Sequence, residues 1–285
     1  MNRFVRSSLG AALALALAGH AAAQTTPDPG PRLWLKMVGH AAKIDSSARI
    51  DEAFGSSASS VGSTIDVERE LGPDDKKLIG NLEFGVRLGE RWRIEVEYLQ
   101  LRRGGSSTLG RAILFDGLTF AQGAPATSEH RLTFTRVNAG FAFVREESLE
   151  VGGAFGGASI DHRLTLRARP SGSAPGSSAV ELTRADAVVL PTVGLYARTR
   201  LAPNWNLLLR AYVGRINSGS AEGAMTDASA LAAWDVSPNF RLLAGWRLLD
   251  LRAEPKISGF IFSVPLRSVF RTQLTGPLVQ GEIRF

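Results

Sequence analysis

Apolar and polar residues alternate along most of this chain, and the alternation radiates from four short polar turns. Before Gly89-Glu90-Arg91-Trp92, the residues Leu82, Phe84, Val86 and Leu88 interleave with Asn81, Glu83 and Arg87. After it, Trp92, Ile94, Val96 and Tyr98 interleave with Arg93, Glu95 and Glu97. The same pattern follows Ala202-Pro203-Asn204-Trp205 and Ser237-Pro238-Asn239-Phe240, and flanks Arg145-Glu146-Glu147-Ser148. A period of two puts the apolar set on one face of an extended strand and the polar set on the other. Pro, Asn and Gly close short hairpins.

Ten strands are predicted, at 32–45, 77–88, 92–103, 129–144, 149–169, 181–201, 205–217, 223–236, 240–253 and 270–285. Each is long enough for a tilted strand to cross a bilayer. The other connections, 46–76, 104–128, 170–180, 218–222 and 254–269, are longer and irregular and carry Ser, Gly and Pro. Eight strands would require one hairpin outside the membrane, and twelve would require part of 46–76 to pair. The stretch from Gly259 to Phe270 is unusually apolar for a loop. Its Phe260, Phe262 and Val264 keep the period of two, which predicts strands running past the membrane.

Composition changes the picture by what is missing. Arg3 and Arg6 precede an apolar stretch from Leu9 to Gly19, and Ala21-Ala22-Ala23 follows, as in a secretory signal peptide spanning 1–23. Residues 24–285 would then form the mature domain. Beyond that stretch no apolar run is long enough for a membrane helix. The hydrophobic fraction is 44%, which a membrane barrel shares with soluble proteins because lipid face and polar interior average out. Cysteine is absent, so neither a disulfide nor an acylated cysteine holds the chain. The net charge of +6 contains no block of like sign that would suggest nucleic acid, although it favours the phosphates of lipopolysaccharide.

The last residue adds a more specific signal. Phe285, Ile283, Gly281 and Val279 share one face of the final strand, opposite Arg284, Glu282 and Gln280. A terminal aromatic closing such a strand resembles the C-terminal assembly signal of Gram-negative outer-membrane β-barrel proteins. The resemblance implies an all-β, up-and-down antiparallel transmembrane barrel, delivered to the barrel assembly machinery by that strand. Three turns end in Trp92, Trp205 and Phe240, which with Phe285 would form an aromatic girdle at the membrane–water boundary. Thr64 to Gly72 also resembles a segment in a group of uncharacterised small proteobacterial barrels, where an Ile-Asp-Leu-Glu-type run ends in Leu-Gly before a strand. Val67 replaces the usual leucine. That resemblance implies a fold and a location, and no activity.

In a barrel the polar faces turn inward. Arg87, Arg93, Arg198, Arg200, Arg210, Arg241, Arg247 and Arg284 would meet Glu83, Glu95, Glu97, Glu150, Asp235 and Glu282 in a lumen charge network. A narrow lumen so lined is expected to be plugged by charges rather than open. Candidates for chemistry are few. Asp161 and His162 are adjacent on a strand and so face opposite ways. Ser128 and His130 share a face and supply a hydroxyl beside an imidazole base. Lipid A deacylases of small barrels place these residues in the reverse order, and no third member can be named. The strand count also resembles that of the omptin proteases, without a matching local motif. Asp74-Asp75 and Asp66, Glu68 and Glu70 could hold calcium, but a solvated loop face accounts for them better, so neither metal nor cofactor is expected. The leading expectation is a non-enzymatic outer-membrane protein that supports the envelope or binds lipopolysaccharide or a surface ligand through its extracellular loops. A narrow diffusion channel for small solutes comes second and a lipid- or peptide-hydrolysing enzyme third. A soluble periplasmic β domain remains the alternative fold.

Overall fold

Ten long strands close into one antiparallel barrel. The computed structural model describes residues 32–54, 58–60, 63–174, 177–218, 221–257 and 266–285. The predicted signal segment and most of the apolar stretch at 259–270 lie outside these. In chain order the elements are β1 (Leu33–Phe54), β2 (Ala58–Ser60), β3 (Ile65–Asp66), α1 (Val67–Leu71), β4 (Lys76–Leu88) and β5 (Trp92–Thr108). There follow β6 (Ile113–Phe115), β7 (Leu118–Phe120), β8 (Pro125–Arg145), β9 (Leu149–Ala168) and β10 (Val180–Ala202). The chain ends with β11 (Trp205–Asn217), β12 (Ala221–Ser237), β13 (Phe240–Ile257) and β14 (Leu266–Arg284).

The barrel order is β1-β4-β5-β8-β9-β10-β11-β12-β13-β14, and β14 returns to β1 with Trp34 opposite Arg284. Closure leaves no sheet edge, so every barrel strand pairs on both sides. The four predicted turns are four of the short connections between barrel strands. They gather at one end with residues 32 and 285, the end that faces the periplasm in this architecture.

The ten-strand expectation holds, but two of the expected loops contain more structure. Within 46–76, β1 continues to Phe54, β2 and β3 pair back onto it, and α1 follows. Asp66 caps α1 by accepting from the Arg69 amide at 3.0 Å, and Gly72 ends it at φ +80°, a conformation glycine adopts without steric cost. Within 104–128, β5 runs to Thr108, β6 and β7 form a separate hairpin, and β8 begins at Pro125.

The strands run 13 to 23 residues, whereas crossing a bilayer takes about 9–11. The surplus explains a change of polarity along each strand. Near the short turns the outward side chains are apolar: Trp92, Ile94, Val96 and Tyr98 on β5, Val137 and Phe143 on β8, Leu242 and Trp246 on β13, Val279 on β14. Farther along the same strands the outward face carries Gln100, Arg102, Arg131, Asp161, Arg163, Arg252 and Arg271, and the apolar residues turn inward. Leu99, Leu101, Leu132, Phe134, Ile160, Leu249, Leu251 and Leu274 then pack in one buried cluster across the lumen. The lower half is therefore a membrane barrel with a polar interior. The upper half stands above the lipid with an apolar core, as a water-soluble barrel does.

A second cluster seals the outer mouth. Ile65, Val67 and Leu71 from the α1 segment meet Ile113, Phe115 and Phe120 from the β6–β7 hairpin over Leu164, Leu166 and Phe270. The expectation of a lumen filled mainly by charges is corrected accordingly. Charges share the periplasmic half with a small apolar cluster of Val38, Leu231, Ala233, Leu243 and Leu278, and above it two apolar clusters bracket a buried polar layer around Arg103.

Candidate functional site

Two polar regions inside the barrel, the charged lower lumen and a layer around Arg103, and one outside carry the chemistry. Deepest in the lower lumen is a closed quartet on β5, β8, β12 and β13. Arg136 donates to Glu97 and to Asp227 at 2.7 Å each. Arg247 donates to the same two carboxylates at 2.6 and 2.9 Å. Asn81 donates to Glu97 at 2.8 Å, and the Arg136 guanidinium lies 4.0 Å from the Tyr212 ring centre. Two cations meet two anions with every short contact made, the condition under which buried charges are tolerated. Glu97 and Arg247 were expected here. Arg136 and Asp227 were missed, although both share the parity of the inward residues around them.

Toward the periplasm the pairing loosens around a cavity of about 80 Å³. Glu83 takes Lys36 and Arg210, the latter at 2.8 Å. Asp235 takes Arg241 at 2.7 Å, together with Arg284. Glu150 is shared by Arg87 at 3.2 Å and by Arg93 and Arg198 at 3.7 Å. Glu282 is shared by Lys36 and Arg241 at 3.7 Å and by Arg284 at 3.6 Å. Arg93 also reaches Glu95 at 3.4 Å. Lys36, on the parity of Trp34, was not anticipated. Arg200 is not inside: its half-exposed side chain stands at the rim and pairs with Glu147 of a short turn at 2.7 Å.

Above the apolar layer lies the region that holds the catalytic candidates. Buried Arg103 binds Glu68, the Ser46 hydroxyl at 2.7 Å, the Asp74 carbonyl at 3.1 Å and His130 Nδ1 at 3.3 Å. His130 Nε2 lies 3.5 Å from His162 Nδ1, and the His162 ring stacks on Phe270. Ser128 does face inward with His130, but its hydroxyl donates to the Leu71 carbonyl at 3.1 Å, beneath α1. Asp161 points outward while His162 is buried. Glu68 is an ion-pair partner inside the mouth rather than part of a solvated face. Among the described residues no cluster of acidic or imidazole groups could hold a metal.

The outer surface supplies the third region. Arg102 on β5 pairs in register with Arg131 on β8, which pairs with Arg163 on β9. The three point outward in one row above the apolar belt. Glu129 accepts from Arg102 at 2.9 Å and from Arg131 at 3.3 Å. Below the belt, Trp92, Trp205 and Phe285 are exposed and Phe240 half-exposed, at the lipid end near the turns. Trp92 meets Phe141 edge-on at 5.0 Å, and Trp205 stacks on Trp234 at 6.1 Å.

No protein-family model matches this chain, and no curated protein matches it in sequence. Among solved structures it is similar to the outer membrane protease OmpT from Escherichia coli, with a TM-score of 0.58 and 10% identity, over 93% of this chain and 99% of that one. The translocator domain of the autotransporter NalP from Neisseria meningitidis gives 0.45 and 12%, over 99% and 95%. Ail, the attachment invasion locus protein of Yersinia pestis, gives 0.33 and 10%, over 86% and 97%. At such identities the likeness to OmpT is one of fold. Closed barrel, outward apolar belt and aromatic turn end together identify the chain as an outer-membrane β-barrel of the Gram-negative type.

Proposed function

We propose that this barrel is a non-enzymatic outer-membrane protein whose outer surface holds lipopolysaccharide, and that it supports the envelope through that contact. The observation that carries this reading is the row Arg102, Arg131 and Arg163. Like charges directly opposite one another on neighbouring strands destabilise a sheet. Glu129 pairs with Arg102 and Arg131, Asp161 lies two positions from Arg163 on the same face, and the buried Arg131 Nε has no hydrogen-bond partner. Phosphates of the outer leaflet would supply the missing acceptors, in the geometry that arginine forks favour. The apolar fill of the upper lumen speaks against a diffusion channel. The engagement of Ser128 by α1, away from His130, speaks against acyl transfer.

The test is binding of the refolded barrel to lipopolysaccharide and to the same lipid stripped of its phosphates. The intact lipid should bind and raise the unfolding temperature, and Arg102→Gln/Arg131→Gln/Arg163→Gln should weaken it by about ten-fold or more, the weight of one or more charge-assisted bonds. Equal binding to both lipids, or an unaffected triple variant, would contradict the reading.

A further inference from the structure

The periplasmic vestibule holds more positive charge than its carboxylates balance, and we propose that it is a binding site for a small oxyanion, a phosphate or a carboxylate group, entering from the periplasm. Seven cationic side chains line the cavity. Among the described residues their carboxylate partners are five: Glu83, Glu95, Glu150, Asp235 and Glu282. The excess of two positive charges matches one phosphate dianion or two carboxylates.

The geometry points the same way as the charge. The contacts that Glu282 makes with cations are 3.6 to 3.7 Å, and two of the three at Glu150 are 3.7 Å. These are ion-pair distances too long for hydrogen bonds. The donors left over are buried without hydrogen-bond partners: Arg87 Nε, Arg93 Nε and Nη2, Arg284 Nε and the hydroxyl of Tyr196, whose residue is 3% exposed. Arg93 is held in place by its guanidinium stacking 3.3 Å from the Tyr196 ring centre. Buried donors without acceptors cost free energy, and an oxyanion accepts from several at once.

The quartet of Arg136, Glu97, Arg247 and Asp227 is the internal control. It lies in the same lumen, balances two against two, and makes its contacts at 2.6–2.9 Å. The deficit is therefore local to the vestibule. Because the apolar cluster closes the lumen above, an anion entering here is retained rather than conducted.

The experiment is isothermal titration of inorganic phosphate, and separately of succinate, into the detergent-refolded barrel, with heat modifiability on a gel certifying each variant as folded. Saturable binding should persist in Arg102→Gln/Arg131→Gln/Arg163→Gln, which removes the outer row as a source. It should weaken about ten-fold or more in Arg198→Gln and measurably in Tyr196→Phe, which keeps the ring that supports Arg93. Tighter phosphate assigns the site to phosphorylated ligands and tighter succinate to carboxylates, and either supports it. No saturable binding of either anion, binding lost with the outer row, or affinity unchanged in both vestibule variants would overturn the proposal. A loss confined to the outer-row variant would leave the lipopolysaccharide reading standing and this one refuted.

Discussion

Two tyrosine rings inside this barrel lie where the neighbouring strand withdraws its side chain. Tyr196 lies directly across from Gly152, and Tyr212 across from Gly194. A Cβ on either glycine would overlap the facing ring. Gly152→Ala and Gly194→Ala should therefore each destabilise the barrel by about 1–3 kcal/mol through overpacking, read as a lower urea midpoint in refolded protein. Burial also ranks the ion pairs. Arg247→Gln leaves Asp227 and Glu97 short of a partner in a closed lumen and should cost about 3–5 kcal/mol. Arg271→Gln removes a pair with Asp250 whose arginine is more than half exposed, and should cost about 1 kcal/mol or less. Comparable losses in the two variants would mean that the lumen is wet enough to screen its charges.

At the scale of the strand, the informative event is the reversal of phase. On β5 the outward series ends at Tyr98 and the inward series begins at Leu99. Leu248-Leu249 on β13, with Leu249 opposite Leu274 of β14, marks the same boundary. Each apolar doublet is where one strand leaves lipid and enters water. The chain has no cysteine, so single cysteines placed on outward positions test this directly in intact cells with a membrane-impermeant maleimide. Arg102 and Arg252 positions should label, and Val96 and Leu242 positions should not. Labelling at Val96 would put the waterline in the wrong place.

The alternation, the four turns and the terminal aromatic were enough to read the ten strands and their ends near the periplasm. The inversion is not legible from alternation alone, because a period of two assigns a strand one apolar face without marking where that face changes side, so the inward Leu99, Leu132 and Leu249 receive no role from it. Lys36, Arg136 and Asp227 are legible by parity with their inward neighbours. The pairing of Glu68 with Arg103 was not legible, because it depends on how a 5-residue helix folds back over the mouth. The order β6–β7 within 104–128 was hidden by turn-forming residues around two 3-residue strands.

As a whole molecule, the barrel is a stack: a cationic vestibule open to the periplasm, a neutralised ion quartet, an apolar plug, a polar layer around Arg103, and a second apolar seal under the loop segments. Ions meet an attractive entrance and then two layers of hydrocarbon, where burying an unpaired charge costs several kcal/mol. The stack favours a wall element over a conduit, with the proposed lipopolysaccharide surface outside and the proposed anion site within. Conductance of the refolded barrel in a planar bilayer tests this most directly. A silent membrane at protein densities where a porin control gives unit steps is the predicted result. Reproducible unit steps from this barrel would contradict the sealed interior on which the account rests.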